Sequence, residues 1–237
     1  MQLEQRRVGY LIGATGGLGR VVARQFRAAG WSLALSGRAD PEIAELVRTV
    51  ASDASGAPIV GDAFDTSDEA AIRAALDRWE GAVGLPDAVF HLAGKYAGGR
   101  AADGWSAADW RDQWEANTLG PALVLSQCMK RLRDSGRPGV LVAIGAVAGI
   151  ESPAQKLPYG VAKAGLLHLL LGLADEGRAH GIRAHGVVPF VIDSPANRAA
   201  MPEADRSRWV SPEQIASLLL GLTDARMGAA RHLIVRV

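Results

Sequence analysis

One cysteine, Cys128, in 237 residues excludes an intrachain disulfide and leaves no thiolate cluster for a metal. The five histidines, His91, His168, His180, His185 and His232, are spread out without ligand spacing, so no metal is expected. A charge excess is also missing. The formal net charge is +1 and the basic residues are scattered, which gives no footprint for nucleic acid or an anionic membrane. No run approaches the ~20 apolar residues of a membrane helix. Arg6 and Arg7 do precede an apolar stretch, but it breaks into glycines and has no small-residue cleavage site, so it reads as the first strand of a cytoplasmic protein. Repeats, low-complexity tracts and linkers are absent, which favours one domain over residues 1–237.

What is present alternates strand and helix. "VGYLIG" (8–13) is a buried strand, and 18–30 has apolar residues at helical spacing ending at Gly30. A second strand covers 31–37, a helix lies near 41–51, and "APIVG" is a third strand. Ser67 or Asp68 is the expected N-cap of a helix reaching Trp79. Strands at 87–94 and 139–145, one or two helices over 107–134 and a long helix over about 158–180 follow. "IRAHGVVP", "SPEQIASLLLGL" and "RHLIVRV" add a sixth strand, a last helix and a closing strand. Short connections between alternating elements predict an α/β fold: a Rossmann-type doubly wound domain with about seven parallel strands and helices on both faces.

Three motifs carry chemistry. "IGATGGLGR" places Gly13, Gly16, Gly17 and Gly19 between a strand and a helix. Glycines there let the backbone approach a pyrophosphate, and the helix N-terminus supplies free N–H groups. Thr15 and Leu18 belong to the same turn. At the end of strand two, "LSGRAD" has Gly37 and Arg38 where an NAD-binding carboxylate would stand. A guanidinium there suits a 2′-phosphate, so NADPH is favoured, with NADH the alternative; otherwise Arg38 is a solvent-facing loop residue. Tyr159 and Lys163 lie at i and i+4 on one helix face. A neighbouring ammonium is expected to lower the phenol from its ordinary value of ~10 and to make Tyr159 a general acid.

With these motifs, Asp65 in "FDTSD", Ala93 and Gly94 in "HLAG", Asn117 in "ANTLG", and Pro189 and Ser194 in "VVPFVIDSP", the chain resembles the short-chain dehydrogenase/reductase family from end to end. The resemblance implies that Gly13, Gly17 and Gly19 meet the pyrophosphate and that Asp65 sits near adenine. It also implies Lys163 on the nicotinamide ribose, Asn117 holding a water relay and Tyr159 as proton donor. The helices at about 115–134 and 158–180 would pair subunits into a homodimer or homotetramer; their small residues could equally serve packing on the sheet. A segment at about 190–210 would close over substrate, with Trp209 part of that lid.

Four positions depart from the family pattern: Ile12, His91 with Leu92, Phe190 after Pro189, and Ala146. Ala146 matters most, because the family carries there a serine that hydrogen-bonds the substrate oxygen. "AGKYAGG", "YGVAKAGLLHL" and "IDSPANRAAMPEADRSRW" are similar to the quinonoid dihydropteridine reductases, which also lack that serine. Their para-quinonoid substrate is activated by its own conjugation. On this likeness Tyr96 contacts a flat substrate; otherwise it packs its loop. The expected activity is hydride transfer from NADPH to a conjugated C=N or C=O. The alternatives are a biosynthetic ketoreductase in which Ser152 or Gln155 replaces the missing donor, or a non-redox NADP(H) sensor. Trp105, Trp110 and Trp114 are expected to pack a helix on the sheet, Cys128 to fill a helix interior and His91 to be structural.

Overall fold

Val8–Ile12 (β1) is apolar or glycine at every position and buried throughout, as a strand covered on both faces must be. The computed structural model describes residues 6–51, 56–230 and 232–237 and sets β1 inside a seven-stranded sheet, third from one edge. Its partners are β2 (Ser32–Gly37), β3 (Ile59–Ala63), β4 (Ala88–His91), β5 (Gly139–Ile144), β6 (Ile182–Val188) and β7 (His232–Arg236). The order is β3-β2-β1-β4-β5-β6-β7, and every pairing is parallel. The expected last strand began at Arg231, which, like residues 1–5, lies outside the described residues.

Helices cover both faces. On one, α3 (Glu69–Val83), α5 (Gly120–Asp134) and α7 (Leu157–Gly177) bury Leu76, Trp79, Leu125, Leu166 and Leu170. On the other, α1 (Gly17–Ala28), α2 (Asp40–Ala51) and α9 (Pro212–Leu222) bury Val22, Phe26, Leu46, Ile215 and Leu219. The caps follow local chemistry. Gly30 takes φ +83 after α1, and the Asp68 carboxylate accepts from the amides of Ala70 and Ala71 at the start of α3. Strand order reverses between β1 and β4, so a crevice opens at the carboxyl ends of these strands.

Several details differ from the expectations. β3 starts two residues later than the expected strand, and α3 continues past Trp79. Between α4 (Ala107–Trp114) and α5 the chain makes a π-type turn over Glu115–Leu119. α4 rests on α7 rather than on the sheet. Trp105 is buried, but Trp110 and Trp114 are 38% and 47% exposed, so the expected packing of these tryptophans on the sheet does not occur. The helical run Leu157–His180 does reach the length and apolarity of a membrane span, against expectation, yet half of that stretch is buried inside the fold. It is apolar because it packs on the sheet. Two short helices were not anticipated: α6 (Ala148–Glu151) and α8 (Pro195–Ala200). α8 belongs to an excursion whose ends are tied together, with the Val210 amide donating to Val191 and the Asp193 amide to Val210, both at 2.8 Å.

Candidate active site

The glycine turn is tight because it is stacked on two neighbours. Gly13 has φ +84, and a Cβ there would lie 2.7 Å from the Ala93 backbone at the end of β4. A Cβ on Gly19 would lie 2.4 Å from the Gly13 carbonyl. The turn is pinned to β2 by two bonds, Gly13 N–H to Ser36 Oγ (3.1 Å) and Ala14 N–H to the Ser36 carbonyl (2.7 Å). Ser36 was not singled out in the sequence; its place one residue before Gly37 was the available signal. Gly16 caps α1 with no side-chain acceptor, so the helix's first amides meet no capping side chain. Leu18 turns its side chain into the core, which leaves its main chain facing the turn.

Around this turn a cleft of 710 Å³ is lined by Thr15, Gly37, Arg38, Asp65, Ala93 and Gly94. Gly37 makes room for Thr15: a Cβ there would meet Thr15 Cγ2 at 2.6 Å. A carboxylate-bearing residue therefore does not fit at this point unless Thr15 moves. Arg38 is exposed and forms no ion pair among the described residues. Asp65 is held below the usual carboxylate range by the Ser67 amide and hydroxyl, both at 2.8 Å. Across the mouth, Ser194 caps α8 and packs on Gly17, and Pro189 is buried at the end of β6. Glycine cradle, open helix N-terminus and unpaired guanidinium together fit a nicotinamide dinucleotide.

Farther along the crevice, Gly94, Asn117 and Lys163 converge. A Cβ on Gly94 would lie 3.0 Å from Asn117 Oδ1 and 3.2 Å from Lys163 Nζ. The Asn117 side chain is fully committed. Its Oδ1 accepts from the Lys95 amide (3.1 Å), while Nδ2 donates to the carbonyls of Lys95 (2.8 Å) and Gln113 (3.1 Å). It grips the loop after β4 much as a paired strand would. Pro121, four residues on, has no N–H, so the ordinary helical donor to the Asn117 carbonyl is missing. Gln113, fully buried beside Asn117, was also missed, though its i, i+4 spacing was readable.

Lys163 is buried and donates to the Ile144 carbonyl at 2.8 Å. Its Nζ lies 6.0 Å from the centre of the Tyr159 ring, and Tyr96 meets that ring edge-on at 5.1 Å. The electrostatics reverse the expectation for the phenol. Burial, with a smaller push from Tyr96, raises Tyr159 to about 12, and burial lowers Lys163 to about 8. Desolvation outweighs a cation that stands off the ring. Ala146 is buried just past β5, and Gly149 presses α6 onto α7, where its Cβ would lie 2.7 Å from the Lys163 backbone. Ser152 and Gln155, in the loop before Tyr159, both adopt left-handed φ, at 46° and 62°.

A dinucleotide cradle beside a tyrosine–lysine–asparagine cluster at the switch point of a doubly wound sheet defines an NAD(P)H-dependent oxidoreductase. The chain belongs to the short-chain dehydrogenase/reductase family: the family model described as enoyl-(acyl carrier protein) reductase matches residues 13–225. It is 28% identical to sulfoacetaldehyde reductase 2 of Chromohalobacter salexigens over 184 residues, which is 78% of this chain and 72% of that protein. It is also 28% identical to levodione reductase of Leifsonia aquatica over 199 residues, 84% of this chain and 74% of the relative. A short-chain dehydrogenase/reductase structure from Mycobacterium ulcerans superposes with a TM-score of 0.91 at 25% identity, covering 98% of this chain and 88% of that one.

Proposed function

We propose that the protein is an NADPH-dependent reductase of a conjugated C=N or C=O, of the quinonoid dihydropterin type. The observation that carries this reading is Ala146: an otherwise furnished proton-delivery site has a methyl group where a hydroxyl would polarise the acceptor. When bound, the nicotinamide dinucleotide supplies the hydride. Tyr159, protonated at any neutral pH because its phenol sits near 12, gives its proton to the acceptor's heteroatom. The Lys163 ammonium and the Asn117-braced loop hold that end of the crevice, and Tyr96 presents a flat aromatic edge beside Tyr159. The segment 190–210, with Trp209, closes over the substrate.

Removing one donor to a developing oxyanion costs about 10²–10³ in rate for an ordinary carbonyl. Ala146→Ser is therefore expected to raise turnover of simple ketones and to lower the ratio of quinonoid dihydropterin to ketone activity by about tenfold or more. An unchanged ratio would refute this account of Ala146. The strained Ser152 and Gln155 favour a second reading, a ketoreductase with a replacement donor. If simple ketones are good substrates of the natural chain and Ser152→Ala or Gln155→Ala abolishes that activity, the second reading stands instead.

The NADPH preference rests on Arg38 and on Gly37 before it, where a Cβ would press on Thr15. Glu42, which lines the same cleft, is a carboxylate that Arg38 must offset. Arg38→Leu is expected to weaken NADPH binding by about 10- to 100-fold, the worth of a charge-assisted hydrogen bond, with NADH affinity unchanged. Equal losses for both cofactors, measured by fluorescence titration, would contradict the assignment. A homodimer or homotetramer belongs to the same proposal: Trp114, Leu119, Val161 and Leu171 are exposed apolar side chains on α4, the π-type turn and α7, which a second copy would cover. So does a cytoplasmic location.

A further inference from the structure

A second cavity, of 490 Å³, lies at the end of the sheet opposite the cofactor crevice. Arg7, Trp31, Asp87, Pro138 and Gly181 line it, and each immediately precedes a strand: β1, β2, β4, β5 and β6 in turn. In a parallel sheet the amino-terminal ends share one edge, so a ligand here and a dinucleotide at the carboxyl ends occupy separate places. Arg178, just beyond α7, and Arg183, the second residue of β6, complete a wall that holds three guanidiniums and one carboxylate.

The charges on this wall do not balance. Asp87 is taken: it accepts from the Val8 amide at 2.7 Å and from Arg137 Nη2 at 3.0 Å. Arg178 pairs with Asp175, which does not line the cavity. Asp224, the acid that acts on both Arg7 and Arg183, is itself held by Arg226, through Nη2 at 2.6 Å and the backbone amide at 2.8 Å. Arg7 and Arg183 are left without an ion pair among the described residues. Neutral groups hold them instead. Arg183 is half-buried and donates Nη1 to the Met227 carbonyl at 3.1 Å. Arg7 reaches Thr223 Oγ1 at 3.4 Å, with its guanidinium 5.6 Å from the centre of the Trp31 ring. Each guanidinium carries five N–H donors, so most of them stay free. Burial lowers Arg183 below the usual guanidinium value, as happens to a charge taken partly out of water.

We propose that this cavity is a binding site for a small organic phosphate, its phosphoryl oxygens on the free donors of Arg183 and Arg7. Two uncompensated cations match the nearly two negative charges of a phosphate monoester at neutral pH, and guanidinium forks fit its oxygens. Pro138, Val140 and Ile182 offer apolar surface to the organic part. The volume is that of an ordinary small-molecule site.

Phenyl phosphate, a dianion with an apolar ring, is the probe. It is titrated calorimetrically into the full chain at neutral pH with NADPH present, so that the cofactor's own phosphate contacts are filled. Saturable binding with a Kd of about 1 mM or tighter is expected. Arg183→Gln and Arg7→Gln are each expected to weaken it by about tenfold or more, the worth of a hydrogen bond to a charged group. Arg73→Gln removes a cation from the exposed face of α3 and is expected to leave binding unchanged. Arg7 is exposed at the cavity mouth, so Arg7→Gln carries the comparison should the Arg183 variant not fold. Inorganic phosphate is expected to bind more weakly than phenyl phosphate, because it leaves the apolar wall uncovered. Succinate that binds as tightly as phenyl phosphate overturns the assignment to a phosphate. No saturable binding of phenyl phosphate up to about 20 mM, or binding that Arg7→Gln and Arg183→Gln both leave unchanged, overturns the site itself.

Discussion

Tyr159→Phe is expected to cut kcat by about 10²–10⁴, the usual worth of a positioned general acid, while NADPH binding is unchanged. The substitution removes one oxygen from a ring held by Tyr96 at 5.1 Å, so the packing survives and the proton donor does not. NADPH oxidation with a quinonoid dihydropterin, followed by absorbance, reads the loss directly. Because burial keeps the phenol near 12, the enzyme starts each turnover with its acid protonated, which suits reduction over oxidation at neutral pH. Tight NADPH binding by the natural chain with no turnover on quinonoid, iminium or ketone acceptors would instead favour the sensor reading. Turnover that survives Tyr159→Phe would move the proton donor elsewhere.

Gly19→Ala is expected to abolish dinucleotide binding, by about 100-fold or more, since misplacement of a tightly fitted turn by ~1 Å costs that much. The new Cβ would sit 2.4 Å from the Gly13 carbonyl and 2.6 Å from Ala14 Cα, backbone atoms that cannot step aside as a flexible side chain would. Overpacking of this kind costs about 1–3 kcal/mol, or about 2–12 °C in Tm for a chain of this size. Gly81→Ala, in α3, is the control: nothing lies within 4 Å of its Cβ, and alanine is the better helix former. If Gly19→Ala binds NADPH as the natural chain does, the turn is not the cofactor cradle.

Much of the site was legible because its parts are local. The glycine turn needs only a strand, a helix and residues without side chains, and the Tyr159–Lys163 pair needs only helical periodicity. Asp68 as the α3 cap follows from its side chain and the two amides beyond it. Properties that depend on several elements at once were read less well. The phenol was expected to be lowered by its lysine, but the depth at which β5, α6 and α7 enclose both groups lets desolvation prevail. Trp110 and Trp114 have the residue type of core anchors, yet α4 rests on α7 and leaves them outside.

The alternation of apolar runs and capped helices determined a doubly wound parallel sheet, because strand period, helix period and short connections are all properties of neighbouring residues. The tertiary structure alone decided which side chains share the crevice. Asn117 bracing the loop at Lys95, Ser36 pinning the glycine turn and Lys163 bonding the Ile144 carbonyl join residues 22, 23 and 19 positions apart. Such contacts are set by strand order and by the depth to which helices pack. Charge states follow from that same depth, since burial, which no local sequence window specifies, governs whether an ammonium or a phenol keeps its proton.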